Sequence, residues 1–505
     1  MNKTFTICYS GTDCYLDHAL VLRKPDEIKC YNEVSGYIPS KIHKIINKNN
    51  KSWENAGDST SLDGPGGPYN ESRENLPVII WETEDINSGY ESDTDSFGNT
   101  IIKDKQPILK YYHTKPAPSK IDSATGLSME TIAIAGIAKM FDITIHMVRY
   151  ESSQTKEQFD GYFDETRTSP HKAVSLEYPS QWKNWQNQCA TPGHWRLRWN
   201  EADNEKIDRF KKEYGTIVLI GHSRGGVECI IASNYLADLW PEFKIKIIAI
   251  DPVPGPGDWW GVLTKIPEKT NTEPVEYIGV YAIDETSANF NAVTPRIKGV
   301  NDKLWDPLGS KSQTYQPNQN KYELIYTRGR HATAPGSICI YGDSDPNNTN
   351  EEIGSSGNLV FAYTIKKLDE WGVKIKDKIK VAIKNNIKEW RIQLENKCDD
   401  YGKMRDKNYG PWNVFGLLNG IIYYNARGIS SSSGANPSDW SYLETYIKNP
   451  STQLQKKIKG LIAGIESKKD AACTWKFIND INIEFNSNET NTSKAPPSKR
   501  LGSTD

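Results

Sequence analysis

At 505 residues and a net charge of −2, the chain is long enough for two or three domains with a substantial core and is not charged like a generic nucleic-acid binder. Hydrophobic residues make up 37% and charged residues 25%, the balance of a globular chain and not of a disordered one. The charge is uneven, about +6 over residues 351–505 and about −8 over the remainder, which sets a basic C-terminal region against an acidic body.

The eight cysteines, at positions 8, 14, 30, 189, 229, 339, 398 and 473, contain no C-x-x-C pair and are too sparse for a disulfide scaffold. They predict a chain folded in a reducing cytosol, with Cys8 and Cys229 as buried thiols and no metal site. MNKTFTICYSG lacks a signal-peptide core, and no run approaches about 18 consecutive apolar residues, so neither Sec-type export nor a membrane span is expected. Any contact with lipid is then peripheral.

TFTICYSGTDC (4–14) predicts a short strand running into a Ser-Gly-Thr-Asp turn. Residues 50–125, rich in Gly, Pro, Ser, Asn and Asp, predict a loop-heavy insertion. DGPGGP (63–68) within it is no phosphate loop, because no Gly-Lys-Ser/Thr follows. METIAIAGIAKMF (129–141) is expected to be helical and ITIHMVRY (143–150) a strand. A tryptophan-rich segment (Trp182, Trp185, Trp195, Trp199) leads to EADNEKIDRFKKEY (201–214), where Ile207, Phe210 and Tyr214 keep a helical repeat up to Gly215.

IVLIGHSRGG (217–226) follows. Its apolar run predicts a buried strand, and the stop at Gly221, then one serine, then Gly225 and Gly226, has the form of a nucleophile elbow. Side chains at Gly221 and Gly225 would collide where strand and helix cross, and Ser223 would need unusual backbone angles. VECIIASNYLADLW (227–240) sets Ile230, Ile231, Tyr235, Leu236 and Leu239 at helical spacing, and KIKIIAIDPVPGPG (244–257) is a second buried strand ended by prolines. PVEYIGVYAIDE (274–285) and YELIYTRGRHATAPG (322–336) supply a third and a fourth. The alternation predicts an α/β fold, a mostly parallel sheet with helices on both faces, whose ligands sit beyond the strands' carboxyl ends, where Ser223 would lie.

A serine hydroxyl attacks only when a base takes its proton, and the base is usually a histidine held by a carboxylate. In this fold class the order along the chain is serine, acid, histidine. Of the histidines at 18, 43, 113, 146, 171, 194, 222 and 331, only His331 lies beyond Ser223, in a Gly- and Pro-containing loop after a predicted strand. Asp251 and Asp284 both end candidate strands. Asp251 is favoured because AIDPVPG looks like the Asp-Pro turn that supplies the acid in pancreatic-type lipases, and Asp284 stays as the alternative. The oxyanion formed on attack needs two backbone donors, for which Arg224 and either Gly11 or Thr12 are the candidates. The Arg224 side chain admits two readings, a contact to a substrate phosphate or acid and a structural ion pair.

Taken in order, SGTDC, LDGPGGP, LIGHSRGG, AIDPVPG, YAIDE and RGRH, spread over residues 5–335, resemble the bacterial α/β-hydrolase effector lipases. Those include antibacterial phospholipases of type VI secretion and related effectors of intracellular pathogens. The resemblance implies an α/β-hydrolase domain over residues 1–355 that cleaves carboxylic acyl esters of phospholipids, with phospholipase A favoured and without a metal or other cofactor. It also implies synthesis in a bacterial cytoplasm without a cleavable signal peptide, then delivery to another cell by a specialised secretion system, with secretion machinery or a chaperone as partner. Many relatives carry arginines after the Asp-Glu pair where this chain has Thr286 and Ser287, so a substrate contact from those positions is not carried over. A non-lipid esterase or an acyltransferase would use the same residues, whereas an inactive hydrolase-fold binding module would have no use for the complete set.

From a boundary near 355 the chain turns rich in Lys, Ile and Asn, and residues 356–485 are expected to form a basic, mainly helical C-terminal domain. VKIKDKIKVAIKNNIKEW (373–390) places Ile375, Ile379, Ile383 and Ile387 on one helical face flanked by lysines, which fits either a docked surface helix or one lying on anionic lipid. PWNVFGLLNGIIYY (411–424), with Trp412 and Phe415, admits the same two readings, core helix or lipid-interface segment. Residues 486–505 are expected to be a disordered tail.

Overall fold

The computed structural model describes residues 3–12, 14, 37–46, 57–65, 77–83, 90–94, 100–104, 109–113, 129–150, 168–169, 194–254, 265–271, 273–285, 292–297, 321–338, 350–406, 429–431 and 475–485. Seven strands make the central sheet: Lys3–Tyr9 (β1), Ser59–Leu62 (β2), Tyr214–His222 (β3), Lys244–Ile250 (β4), Glu276–Ala282 (β5), Tyr322–Thr327 (β6) and Trp475–Phe477 (β7). Their order is β7-β6-β5-β4-β3-β1-β2, and every neighbouring pair is parallel. The helices are Ile38–Ile46 (α1), Met129–Phe141 (α2), Asn204–Glu213 (α3), Arg224–Leu239 (α4), Ser355–Glu370 (α5), Asp377–Asn396 (α6) and Cys398–Asp406 (α7).

Parallel strands need crossovers, and the crossing helices cover both faces of the sheet. Side chains alternate along a strand, so Phe5, Ile7 and Tyr9 of β1 and Ile217 and Leu219 of β3 join one core with α2, α3 and α4. Cys8, Val218 and Ile220 of the same strands, with Ile248 and Ile250 of β4, join the other core with α1, α5 and α6. Burial on both sides is why IVLI of β3 and IIAI of β4 read as apolar runs instead of alternating ones. Cys8 and Cys229 are buried free thiols, and burial pushes both thiols up in pKa.

Residues 50–125 are not simply loop. They contain the strands Val78–Thr83, Tyr90–Thr94, Thr100–Asp104 and Leu109–His113. The first pairs parallel with Ile145–Tyr150 and antiparallel with Leu109–His113 in a second, five-stranded sheet. That sheet also takes in His194–Asn200 from the tryptophan-rich segment and Thr168–Ser169. Strands of five or six residues are averaged away in a window dominated by Gly, Pro and Asp, so composition concealed them. Trp199 packs on Trp240 with ring centroids 5.3 Å apart, while Trp182 and Trp185 lie outside the described residues.

The compositional boundary near 355 is the start of α5, whose Leu359, Val360, Ala362 and Ile365 are buried in the same core as the sheet. β7 then adds the sheet's edge strand. On α6 and the segment before it, Ile375 and Ile383 are buried and Ile379 and Ile387 pack against that core. The isoleucine face thus packs against the protein, with Ile379 and Ile387 half-buried. Trp412, Phe415 and the expected tail 486–505 lie outside the described residues. Among the described residues no helix is long and apolar enough to cross a membrane.

Candidate active site

Ser223 stands at the carboxyl end of β3, where the chain turns into α4. Its φ of 57° and ψ of −126° lie where L-residues are strained, at a cost of about 1–3 kcal/mol. The surroundings hold it there: its N–H donates to Ile250 O (3.0 Å), and its carbonyl accepts from Gly226 N (3.0 Å) and Val253 N (3.2 Å). Strand and helix cross backbone to backbone. A Cβ on Gly221 would stand 2.0 Å from Gly225 O, and one on Gly225 would stand 2.4 Å from Tyr9 O. Gly221→Ala is expected to cost about 1–3 kcal/mol, toward the upper end because the obstacle is main chain, read as a lower urea midpoint with unchanged slope.

His331 lies in the turn after β6, with Nδ1 2.5 Å from Oδ2 of Asp251. Asp251 follows β4, the neighbour of Ser223's own strand, and is fully buried at a φ of 48°. Its Oδ1 accepts from Ala282 N (3.0 Å), which fastens the carboxylate to the end of β5. Left-handed backbone is tolerated best by Asp, Asn and Gly, so this site suits an aspartate.

Asp284 is otherwise engaged. Its two oxygens accept from Arg328 Nε (2.8 Å), Arg328 Nη2 (3.1 Å) and Gly329 N (2.8 Å). Burial alone would lower the pKa of Arg328, but the Asp284 carboxylate outweighs it and holds the guanidinium above its usual value. Arg328 also reaches Cys398 Sγ (3.0 Å) and lies over the Tyr401 ring. The geometry therefore sets Asp251, and not Asp284, against His331.

Gly11 touches the elbow. A Cβ there would come within 3.1 Å of Ser223 Cβ, so this position admits only glycine without a shift. Gly64 of DGPGGP seats the same loop from outside: its N–H donates to Cys14 O (3.0 Å), and a Cβ on it would stand 1.8 Å from Gly11 O. Arg224 is buried, and its guanidinium donates through Nη1 to Thr12 Oγ1 (3.2 Å) and through Nε to Pro254 O (3.3 Å). It thereby struts the SGT loop against the Asp-Pro turn. The amide of Arg224 sits in the first turn of α4, where helix N–H groups and the macrodipole favour negative charge.

Two buried residues that sequence reasoning did not single out belong to this setting. Glu285 Oε2 accepts from the backbone N–H of His331 (3.1 Å), and His222 Nε2 lies 3.2 Å from His331 O. The only signal for them was adjacency, Glu285 to Asp284 and His222 to Ser223. Among the described residues no three His, Cys, Asp or Glu side chains converge as a metal site requires.

Seven parallel strands with helices on both faces define an α/β protein whose serine, aspartate and histidine all follow the carboxyl ends of sheet strands. No family model matches the chain, and no curated protein matches it. Among solved structures it is similar to a chain in "Structure of the Tle1 effector bound to the VgrG spike from the Type 6 secretion system", at 9% identity and a TM-score of 0.23. The match covers 68% of this chain and 52% of that one, so this chain spans about half of that protein's length. A likeness of that size carries no activity across.

Proposed function

We propose that the chain is a serine carboxylic-ester hydrolase of the α/β-hydrolase class, acting on acyl esters of phospholipids as a phospholipase A. Ser223 Oγ attacks the acyl carbonyl while His331 Nε2 takes its proton and passes it to the departing lysophospholipid alcohol. Asp251 holds the imidazole through Nδ1 and stabilises its cation. The amides of Arg224 and of Gly11 or Thr12 receive the oxyanion. Water, deprotonated by the same histidine, then releases the fatty acid from Ser223.

The observation that carries this reading is the 2.5 Å contact between Asp251 and His331, the one histidine downstream of a strained serine on the adjacent strand. The choice of phospholipid rests on the motif resemblance, as do delivery by a secretion system and peripheral contact with anionic lipid. The test is fatty-acid release from mixed phospholipid vesicles beside hydrolysis of a soluble p-nitrophenyl ester. Release from both fits the proposal. Cleavage of the soluble ester alone replaces it with a non-lipid esterase, and cleavage of neither removes the catalytic reading.

A further inference from the structure

His222, immediately before Ser223, is buried and its ring contacts two others. Tyr37 stacks on it with centroids 5.2 Å apart and planes 15° apart. The His331 ring lies 4.6 Å from it, tilted by 34°. With the proton on Nε2, His222 donates to the carbonyl oxygen of His331 at 3.2 Å. Its Nδ1 faces Gly11, where a Cβ would come within 2.6 Å.

The backbone of His331 is accordingly held at both polar atoms, the N–H by Glu285 and the C=O by His222, while Asp251 holds the ring. A further tie runs from Ile38 N–H to Pro335 O (3.1 Å), fastening the segment that carries Tyr37 to the same turn. The elbow and the His331 turn leave β3 and β6, which β4 and β5 separate in the sheet. Through the sheet alone, small shifts of each intervening strand would add up between serine and histidine.

We propose that His222 is a positioning residue that ties the backbone of the histidine base directly to the neighbour of the nucleophile, fixing the separation of Ser223 and His331. The inference rests on the reading of those two residues as nucleophile and base. It matters because a misplacement of about 1 Å between reacting groups can cost about 10²-fold in rate.

Three variants of the full chain separate the parts of the tie. His222→Phe keeps the stack and removes the donor, His222→Gln keeps a donor and removes the ring, and His222→Ala removes both. For Phe and Gln, labelling of Ser223 by a fluorophosphonate and kcat on a p-nitrophenyl ester are expected to fall about tenfold, and for Ala about 10²-fold, with KM unchanged. A loss in Phe, which keeps the packing, together with a gain in Gln over Ala, which restores only the donor, is what a loss of packing alone would not produce. Labelling at the wild-type rate in folded Phe and Ala variants overturns the inference. Should the wild type itself take no label, the reading of Ser223 has failed, and the far-downfield proton resonance of the His331–Asp251 hydrogen bond decides instead. Broadening of that resonance in the Phe and Ala variants supports the tie, and an unchanged resonance overturns it.

Discussion

Ser223→Ala is expected to lower fatty-acid release from mixed phospholipid vesicles by a factor on the order of 10⁴ or more while leaving the fold intact. The loss follows from chemistry: without the hydroxyl no acyl-enzyme forms, and what remains is binding plus oxyanion stabilisation of direct attack by water. The intact fold follows from the backbone. At a φ of 57° alanine is strained much as serine is, so the substitution trades one strained Cβ residue for another and stability stays nearly level. Ser223→Gly provides the internal check, since glycine releases the strain: it is expected to be as inactive as alanine yet gain a few tenths to about 1 kcal/mol in urea unfolding. Equal release by wild type and Ser223→Ala would remove the serine mechanism.

What the sequence made legible is what both faces of a sheet made redundant. β3, β4 and β5 are buried on two sides, so stretches such as IIAI and IVLI are wholly apolar and the strands announce themselves without periodicity. The elbow is legible for a related reason. Gly221 and Gly225 are demanded by main-chain contacts under 2.5 Å, and only one residue type satisfies such a contact. The hairpin of Tyr90–Thr94 and Thr100–Asp104, which forms a small sheet of its own, was not legible, because its strands mix charged and β-branched residues and carry no unbroken apolar run. Nor could the isoleucine stripe of residues 375–387 declare its partner, since a docked helix and a lipid-bound one ask for the same amphipathic spacing. The partner lies in α5, distant in pattern though near in sequence.

The sequence favoured Asp251 over Asp284 only by its likeness to an Asp-Pro turn, and the reason their surroundings could not be told apart leads to the second large effect. Asp251 and Asp284 both follow Ala-Ile at the end of a buried strand, and what distinguishes them is Arg328, three residues before the histidine. Asp251→Asn is expected to fold and to lose about 10³–10⁴-fold in rate, because an amide can still accept from Ala282 N–H but no longer holds His331 in the required tautomer as a carboxylate does. Asp284→Asn is expected to fail differently. It strips the carboxylate from a guanidinium whose side chain is only 4% exposed, and breaking a buried pair from one side costs about 3–5 kcal/mol. Against a total stability of about 5–15 kcal/mol, that is enough to unfold much of the population on warming. Replacing both partners, Asp284→Asn with Arg328→Met, is expected to be milder than the single change, since no uncompensated charge stays buried. Melting curves beside specific activity of the folded fraction separate the outcomes. If Asp284→Asn folds at wild-type stability and is inactive while Asp251→Asn keeps its activity, the acid has been assigned to the wrong strand. The contact between Asp251 and His331 would then be a structural clasp, and the base would have to leave it to work.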